Sequence, residues 1–467
     1  MNHTKMPLVE AIELHKKKKP VSFHVPGHKN GGISSFMDLS YDVTELNGLD
    51  DLHSPEGCIR EAEKMLSDLY QTVESKFLVN GSTAGNLAMI LGSLSEGDCI
   101  FVQRNCHKSV LNALKMAKAE PVFLAPEYDE NTKTAISFSA ETLKKAYRQY
   151  RNVKAVIFTY PSYYGMANSF EELSAIAKEN GSLVLVDEAH GAHFILPYDG
   201  IPESALSLGA DLVVQSAHKM LPAMTMGSFF HFQSKQADRD KIMFYLQALQ
   251  SSSPSYPIMA SLDAARAYTA AYKKRDFHYT NQMKNRIKDV LELKGCICVQ
   301  TDDPYKVLVR ADGLSGYELQ LMFEQADIYP EMADPFQVLL VFPLLKEGQS
   351  QFEADAVCKL QSFQLKKGEA KPHFFGIQKT EDVTVLNVPY NEHSKYKKEY
   401  VSLGKAAGRV AAEMIIPYPP GIPLLLEGEQ ILKDHIRSLE WMIENGSRFH
   451  GGSGLKEKQI LVFRKEL

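Results

Sequence analysis

Leu183-Val184-Leu185-Val186-Asp187-Glu188-Ala189-His190 and, further on, Asp211-Leu212-Val213-Val214-Gln215-Ser216-Ala217-His218-Lys219 decide how this chain folds. Each is a short apolar run that ends in polar residues able to carry chemistry. Phe77-Leu78-Val79, Ile100-Phe101-Val102, Val122-Phe123-Leu124 and Ala155-Val156-Ile157-Phe158 are runs of the same kind. Helical patterns separate most of them, among them Ile59, Ala62, Met65, Leu66 and Leu69 at helical spacing. Apolar runs alternating with helices indicate an α/β protein with a mostly parallel sheet covered on both faces. Ligands of such sheets sit beyond the carboxyl ends of the strands. Asp187 and Lys219 both fall there.

A strand-end carboxylate followed, one strand–helix unit later, by a strand-end lysine suits an aldehyde cofactor, pyridoxal phosphate. The lysine binds the aldehyde as an imine, and the carboxylate pairs with the pyridinium nitrogen. A lone lysine is ordinarily a solvated surface residue, so the assignment rests on its company. Asn80-Gly81-Ser82-Thr83-Ala84-Gly85-Asn86 joins a strand to a helix. Its small residues let the backbone approach an anion, its hydroxyls donate, and the helix start adds its dipole. The Walker spacing is absent, and a plain Ser/Thr cap is the alternative. His107 follows the next strand and can stack on a planar ring, or simply sit near a helix start. Ala189 is small enough to lie under such a ring, and His190 can hydrogen-bond near its oxygen. Ser216 and His218 can complete the phosphate site. Asp187-Glu188-Ala189-His190 also spells a helicase motif, but no Walker lysine loop or second nucleic-acid-binding domain accompanies it. Asp187, His190 and His193 do not by their spacing close a zinc site, so no metal is expected.

The bulk numbers set limits. A chain of 467 residues exceeds one simple core, so two or three domains are expected. The 44% hydrophobic and 23% charged residues are ordinary for a globular protein, and a net charge of −5 argues against nucleic acid or anionic membranes as main partners. Lys16 to Lys19 reads as a solvated helix end. No apolar stretch approaches the roughly 18 residues of a membrane span, and no signal-peptide core follows the N-terminal charges. A cytoplasmic location is expected, with the six scattered cysteines as free thiols. Residues 1–58 read as an arm or lid too poor in apolar residues to bury a core. Residues 59–295 read as a large cofactor-binding domain ending in a long helical region from about Ile258 to Leu293. Residues 296–467 read as a smaller α+β domain. Near its end, Pro417-Tyr418-Pro419-Pro420-Gly421-Ile422-Pro423 is too proline-rich for helix or central strand.

Several motifs follow one another in a fixed order: Phe23-His24-Val25-Pro26-Gly27-His28-Lys29, Asp42-Val43-Thr44-Glu45, Gly48-Leu49-Asp50-Asp51-Leu52, Asn80 to Asn86, Asp187 to His190, Ser216 to Lys219, and Tyr418 to Pro423. In this order, over essentially the whole chain, they resemble the bacterial ornithine/lysine/arginine decarboxylase family of fold-type-I (aspartate aminotransferase-like) pyridoxal-phosphate enzymes. The resemblance implies that Lys219 is the imine lysine, Asp187 the pyridine-nitrogen partner and His107 the stacking residue. It places Ser82, Thr83, Ser216 and His218 at the phosphate, with Gly81, Ala84, Ala189 and His190 also around the cofactor. It further implies loss of CO2 from a basic amino acid, with arginine or lysine ahead of ornithine, in polyamine biosynthesis. A homodimer or higher homo-oligomer with active sites at the subunit interface is expected. The chain departs from the family in lacking the N-terminal wing domain of larger members, and in carrying Met226 where a glutamine is expected.

The distal positive end of a basic substrate needs carboxylates. Glu331 and Asp334, on a loop of the smaller domain, come first. Asp50 and Asp51 come second, if the arm reaches a site across a dimer. Each can equally be a surface or capping carboxylate. An aminotransferase or aldolase would keep Asp187 and Lys219 but would want a C-terminal arginine, for which Arg409 is a poor candidate. A non-catalytic regulatory relative would have no need of the intact cofactor set.

Overall fold

The computed structural model describes residues 1–31, 37–366, 368, 381–417, 423–444 and 446–465. The chain passes twice through each of two compact units, residues 1–93 with 183–274, and 94–182 with 275–467. Its first pass forms α1 (Pro7–Lys17), α2 (Cys58–Tyr70), β1 (Glu74–Leu78) and α3 (Gly81–Ser93). On α2 the residues Ile59, Ala62, Met65 and Leu66 are buried, as their spacing predicts. Gly85 on α3 allows a close approach, because a Cβ there would lie 2.7 Å from the side chains of Leu78 and Val214.

In the second unit follow β2 (Cys99–Gln103), α4 (Lys108–Ala117), β3 (Glu120–Leu124), the hairpin β4 (Tyr128–Asp129) and β5 (Thr134–Ala135), α5 (Ala140–Gln149), β6 (Ala155–Thr159) and α6 (Phe170–Glu179). The chain then gives the first unit β7 (Leu183–Asp187), β8 (Leu212–Gln215), α7 (Ala217–Met220), β9 (Ser228–Phe232), α8 (Arg239–Ala248) and α9 (Tyr256–Ala270). In that unit β7 and β8 run parallel, with β9 and then β1 added antiparallel. Every residue of β7, β8 and β9 is buried, the signature of strands covered on both faces. In the second unit β6, β2 and β3 run parallel.

The remainder comprises α10 (Lys274–Leu293), β10 (Ile297–Gln300), β11 (Lys306–Arg310), α11 (Gly316–Gln325), β12 (Met332–Ala333), β13 (Val338–Val341), α12 (Gln351–Ser362), β14 (Val383–Val385), β15 (Tyr396–Ser402), β16 (Ile416–Pro417), α13 (Lys433–Glu444), β17 (Phe449–His450) and β18 (Gln459–Lys465). Three expectations change here. The long helical region is two helices, α9 and α10. The boundary at 295 moves toward the N-terminus, because Met283, Ile287 and Leu291 of α10 share a core with Val307, Val309, Phe323 and Val338. Residues 296–467 are also not one α+β body. β10, β11, β13 and β12 form one antiparallel sheet, whereas β14 leaves to pair antiparallel with β3. A further core of Leu403, Ile415, Leu425, Leu439 and Ile460 lies beside the β15–β18 ribbon. Residues 418–422 of the proline-rich segment lie outside the described residues.

The arm is rooted rather than independent. Leu8 and Ile12 of α1 are fully buried. Arg266, also fully buried, pairs with Asp263 at 2.7 Å and donates to the carbonyls of His3 and Lys5. Asp263 in turn accepts the Leu8 N–H at 3.0 Å. Among the described residues no helix is long and apolar enough to cross a membrane.

A polar chain runs through the interior of the first unit. Glu188, fully buried, accepts from Ser204 Oγ (2.9 Å), Ala205 N (2.8 Å) and Gln215 Nε2 (2.6 Å). Gln215 Oε1 lies 3.1 Å from His231 Nε2, and His231 Nδ1 lies 2.8 Å from Ser75 Oγ. Burial pushes His231 down to about 3, so the ring is neutral. Burial pushes Glu188 up to about 7, against the pull of its three donors. The folded protein therefore holds a proton on Glu188 more tightly than the unfolded chain does. That contribution is complete below pH 4.5 and is lost as pH rises through about 7. The stability advantage of the wild-type over Glu188→Gln, measured by denaturant unfolding, should shrink over this range by up to about 3 kcal/mol. A difference independent of pH would mean that Glu188 is ionised throughout.

Candidate active site

The parallel pairing of β7 and β8, with Asp187 opposite Val214, brings the carboxyl ends of the two strands side by side. Asp187 is the last residue of β7. Ser216 follows β8 and opens α7, the single turn that carries Lys219. Lys219 Nζ lies 3.0 Å from His190 Nε2. Asp187 is only 3% exposed, and its two oxygens have different donors. Oδ2 accepts from Asn86 Nδ2 at 2.8 Å and Oδ1 from Ala189 N at 3.2 Å. The carboxylate is thus aimed from two sides before any ligand arrives.

The orienting role of Asn86 is not visible in the sequence, where it reads as the last residue of the small-residue loop. The available signal was its helical spacing from Ser82, which puts a polar side chain on the buried face of α3. Asn86 is 1% exposed.

The loop between β1 and α3 places Ser82 and Thr83 in the first turn of the helix, where unbonded N–H groups favour an anion. Ser216 Oγ donates to Ser82 Oγ at 2.8 Å, joining this loop to the lysine turn. Ala84 is buried and Thr83 is exposed. His218 Nδ1 lies 2.9 Å from Gly227 O. Burial holds the His218 imidazole below its ordinary range, with the Lys219 charge adding to the effect and the Gly227 contact opposing it.

Met226, the departure from the family pattern, has φ +77°, a conformation that side chains other than glycine rarely adopt. Its carbonyl accepts the Gly81 N–H at 3.0 Å and faces Ser228 Oγ at 3.3 Å. The backbone of Met226, rather than its half-exposed side chain, ties the lysine loop to the phosphate loop.

In the second unit His107 caps α4. Its Nδ1 accepts the Ser109 N–H at 3.2 Å and lies 2.8 Å from Ser109 Oγ. The two readings of His107 are therefore compatible, since the cap fixes the tilt of a ring that is itself exposed.

The candidate substrate carboxylates divide. Asp334 is 5% exposed and accepts from Phe336 N (2.7 Å), Gln337 N (3.0 Å), Gln337 Nε2 (3.2 Å) and Tyr164 OH (2.9 Å). These four donors commit it to its own loop, which corrects the expectation that it meets a substrate. Asp50 is corrected on the same ground. It is buried, and it receives the N–H groups of Asp51, Glu56, Gly57, Ile59 and Arg60, closing the N-terminus of α2. Asp51 accepts the His53 N–H at 2.8 Å and is half-buried. Glu331 is exposed, with Oε1 accepting from Tyr163 OH at 2.6 Å.

The first unit therefore gathers an amine (Lys219), a carboxylate held from two sides (Asp187) and the hydroxyls of Ser82 and Ser216 at the start of α3, a set chemically able to hold an aldehyde cofactor that carries a phosphate.

Comparison with known proteins supports this reading. Residues 6–308 match the Orn/Lys/Arg decarboxylase major domain and residues 377–452 the C-terminal domain of that family. The uncharacterized protein YaaO of Bacillus subtilis (strain 168) is 45% identical over 490 residues, covering 98% of this chain and 99% of its own length. An arginine decarboxylase of Halalkalibacterium halodurans is 30% identical over 459 residues, 92% of each chain. Among solved structures, the constitutive lysine decarboxylase of E. coli aligns with a TM-score of 0.78 at 19% identity, covering 99% of this chain and 82% of that one. The serine palmitoyltransferase of Sphingomonas wittichii aligns with a TM-score of 0.55 at 16% identity, covering 77% and 85%. The structural likenesses establish the fold-type-I architecture, and the family matches span both ends of the chain. The chain belongs to the Orn/Lys/Arg decarboxylase family and is a pyridoxal-phosphate-dependent decarboxylase.

Proposed function

We propose that the protein removes CO2 from a basic amino acid, with arginine or lysine ahead of ornithine, to give the corresponding amine for polyamine biosynthesis in the cytoplasm. The observation that carries this reading is the Lys219–His190 and Asn86–Asp187 constellation at adjacent strand ends. Support for arginine comes from relatives named arginine decarboxylase, 28–30% identical over 92–100% of this chain. Those named lysine decarboxylase are 21–23% identical. The reading includes a homodimer or higher homo-oligomer.

When bound, pyridoxal phosphate supplies the sink for the electron pair left on Cα as CO2 departs. Lys219 anchors the cofactor, and His190 holds and exchanges a proton at Lys219 Nζ. Asp187, fixed by Asn86 and the Ala189 N–H, keeps the ring nitrogen paired. Ser82, Thr83, Ser216 and His218 hold the phosphate. His107 stacks on the ring, and either His107 or Lys219 returns the proton to Cα. Glu331, aimed by Tyr163, accepts the distal cation of the substrate, and Asp51 is the second candidate for that contact.

Purified protein supplied with pyridoxal phosphate should release CO2 from arginine, lysine or ornithine. Lys219→Ala should abolish turnover together with the absorbance near about 420 nm expected of the bound cofactor. Silence on all three substrates, or keto-acid formation in place of CO2, would overturn the reading. Removing the donor on Asp187 by Asn86→Ala should weaken cofactor binding about 10- to 100-fold, the worth of a hydrogen bond to a buried charge. Absorbance titration of the apoprotein measures it, and wild-type affinity would take Asn86 out of the site. Glu331→Gln should raise KM about tenfold or more with cofactor affinity unchanged. Equal KM values would remove Glu331 from substrate recognition.

A further inference from the structure

One buried ionic cluster of the second unit has no part in the chemistry above. Leu426-Glu427-Gly428-Glu429 makes a tight turn closed by the Glu429 N–H on Leu426 O at 3.2 Å. Gly428 sits at φ +92°, and a Cβ there would lie 2.4 Å from Val388 O, so the turn requires glycine. The turn is pinned to its own domain by Gly428 N to Ala411 O (2.8 Å) and Ala411 N to Glu429 O (2.9 Å). From this fixed base two carboxylates reach the segment formed by β2 and α4. Glu429 Oε2 takes Arg104 Nη2 at 2.8 Å, and Leu424 O lies 3.4 Å from the same nitrogen. Glu427 Oε2 takes Lys115 Nζ at 2.6 Å, while its Oε1 takes Lys398 from the domain's own side at 3.0 Å.

Arg104 and Lys115 lie on either side of His107 in sequence. Arg104 belongs to the corner that leads into His107, and Lys115 to the last turn of the helix that His107 caps. The corner also carries the hydrogen bonds Arg104 N to Leu124 O at 3.0 Å, Cys106 N to Gln103 O at 3.1 Å and Asn105 Nδ2 to Ile136 O at 3.1 Å. A buried ion pair is weak evidence of stabilisation, because desolvation offsets the attraction. Arg104 is 8% exposed, so its pairing fixes geometry more than it adds stability.

We propose that Glu429 is a positioning residue for the reaction. Through Arg104 the C-terminal turn sets the corner that presents the His107 ring. This rests on the stacking role assigned to His107.

The test uses holoenzyme of wild-type, Glu429→Gln, Arg104→Lys, Lys398→Ala and His107→Ala. Each is measured for kcat, KM, Tm and visible circular dichroism of the bound cofactor. Glu429→Gln should lower kcat about tenfold and weaken the dichroic band with KM changed less than about twofold, as expected of a misplaced contact group. Arg104→Lys, which keeps the charge, should fall between it and wild-type. Lys398→Ala, which loosens Glu427 without touching Arg104, should leave kcat and the band unchanged even if Tm falls. Wild-type kcat and dichroism in Glu429→Gln would overturn the proposal whatever its Tm. Should that variant not fold, the same result in Arg104→Lys would do so. If His107→Ala itself keeps kcat and the band, the stacking role fails and the proposal falls with it. A loss in His107→Ala beside an unaltered Glu429→Gln would reject the clamp alone.

Discussion

The site depends on the side-by-side, same-direction pairing of β7 and β8. Two parallel strands in register deliver their carboxyl ends to one edge. The carboxylate and the amine emerge from those ends without a long loop to position either. An antiparallel pairing would have sent Asp187 and Lys219 to opposite edges. The sequence cost of the arrangement is that both strands must be apolar up to their last residue, Asp187 and Gln215, and every residue of each is buried.

A second layer then fixes what the strands deliver. Asp187 is aimed by a side chain from α3 and by an N–H of its own turn, Lys219 faces an imidazole, and Ser216 bridges to Ser82. Directly beneath, Glu188 gathers three donors and extends through Gln215 and His231 to Ser75 on β1. Adjacent residues of one strand end thus face opposite ways, Asp187 toward the cofactor groups and Glu188 into the packing of the unit, as the strand period requires. Polar groups this deeply placed are tolerated because each has partners.

What could be read from the sequence follows the same logic. Buried parallel strands announce themselves as short apolar runs, so Leu183 to Val186 and Leu212 to Val214 were legible. Contacts between residues distant in sequence were not. Nothing in Asp50 or Asp334 distinguishes a carboxylate that closes a helix or loop from one that waits for a cation, because the difference lies in which N–H groups surround it. Asn86 looked like loop punctuation for the same reason. The apolar face of α10 showed that it packs but not on what, which moved the domain boundary. Val383-Thr384-Val385 is too short and too little buried to mark itself as a strand.

That short strand has a consequence for how the molecule is made. β3 pairs with β2 on one side and with β14 on the other, so its outer edge stays bare until a segment from far along the chain arrives. During synthesis the parallel strands of the second unit are complete long before the piece that covers them. An open strand edge is a template for pairing with other chains. A product truncated ahead of residue 383 would therefore keep its parallel strands yet expose that edge, favouring aggregation over a smaller working enzyme.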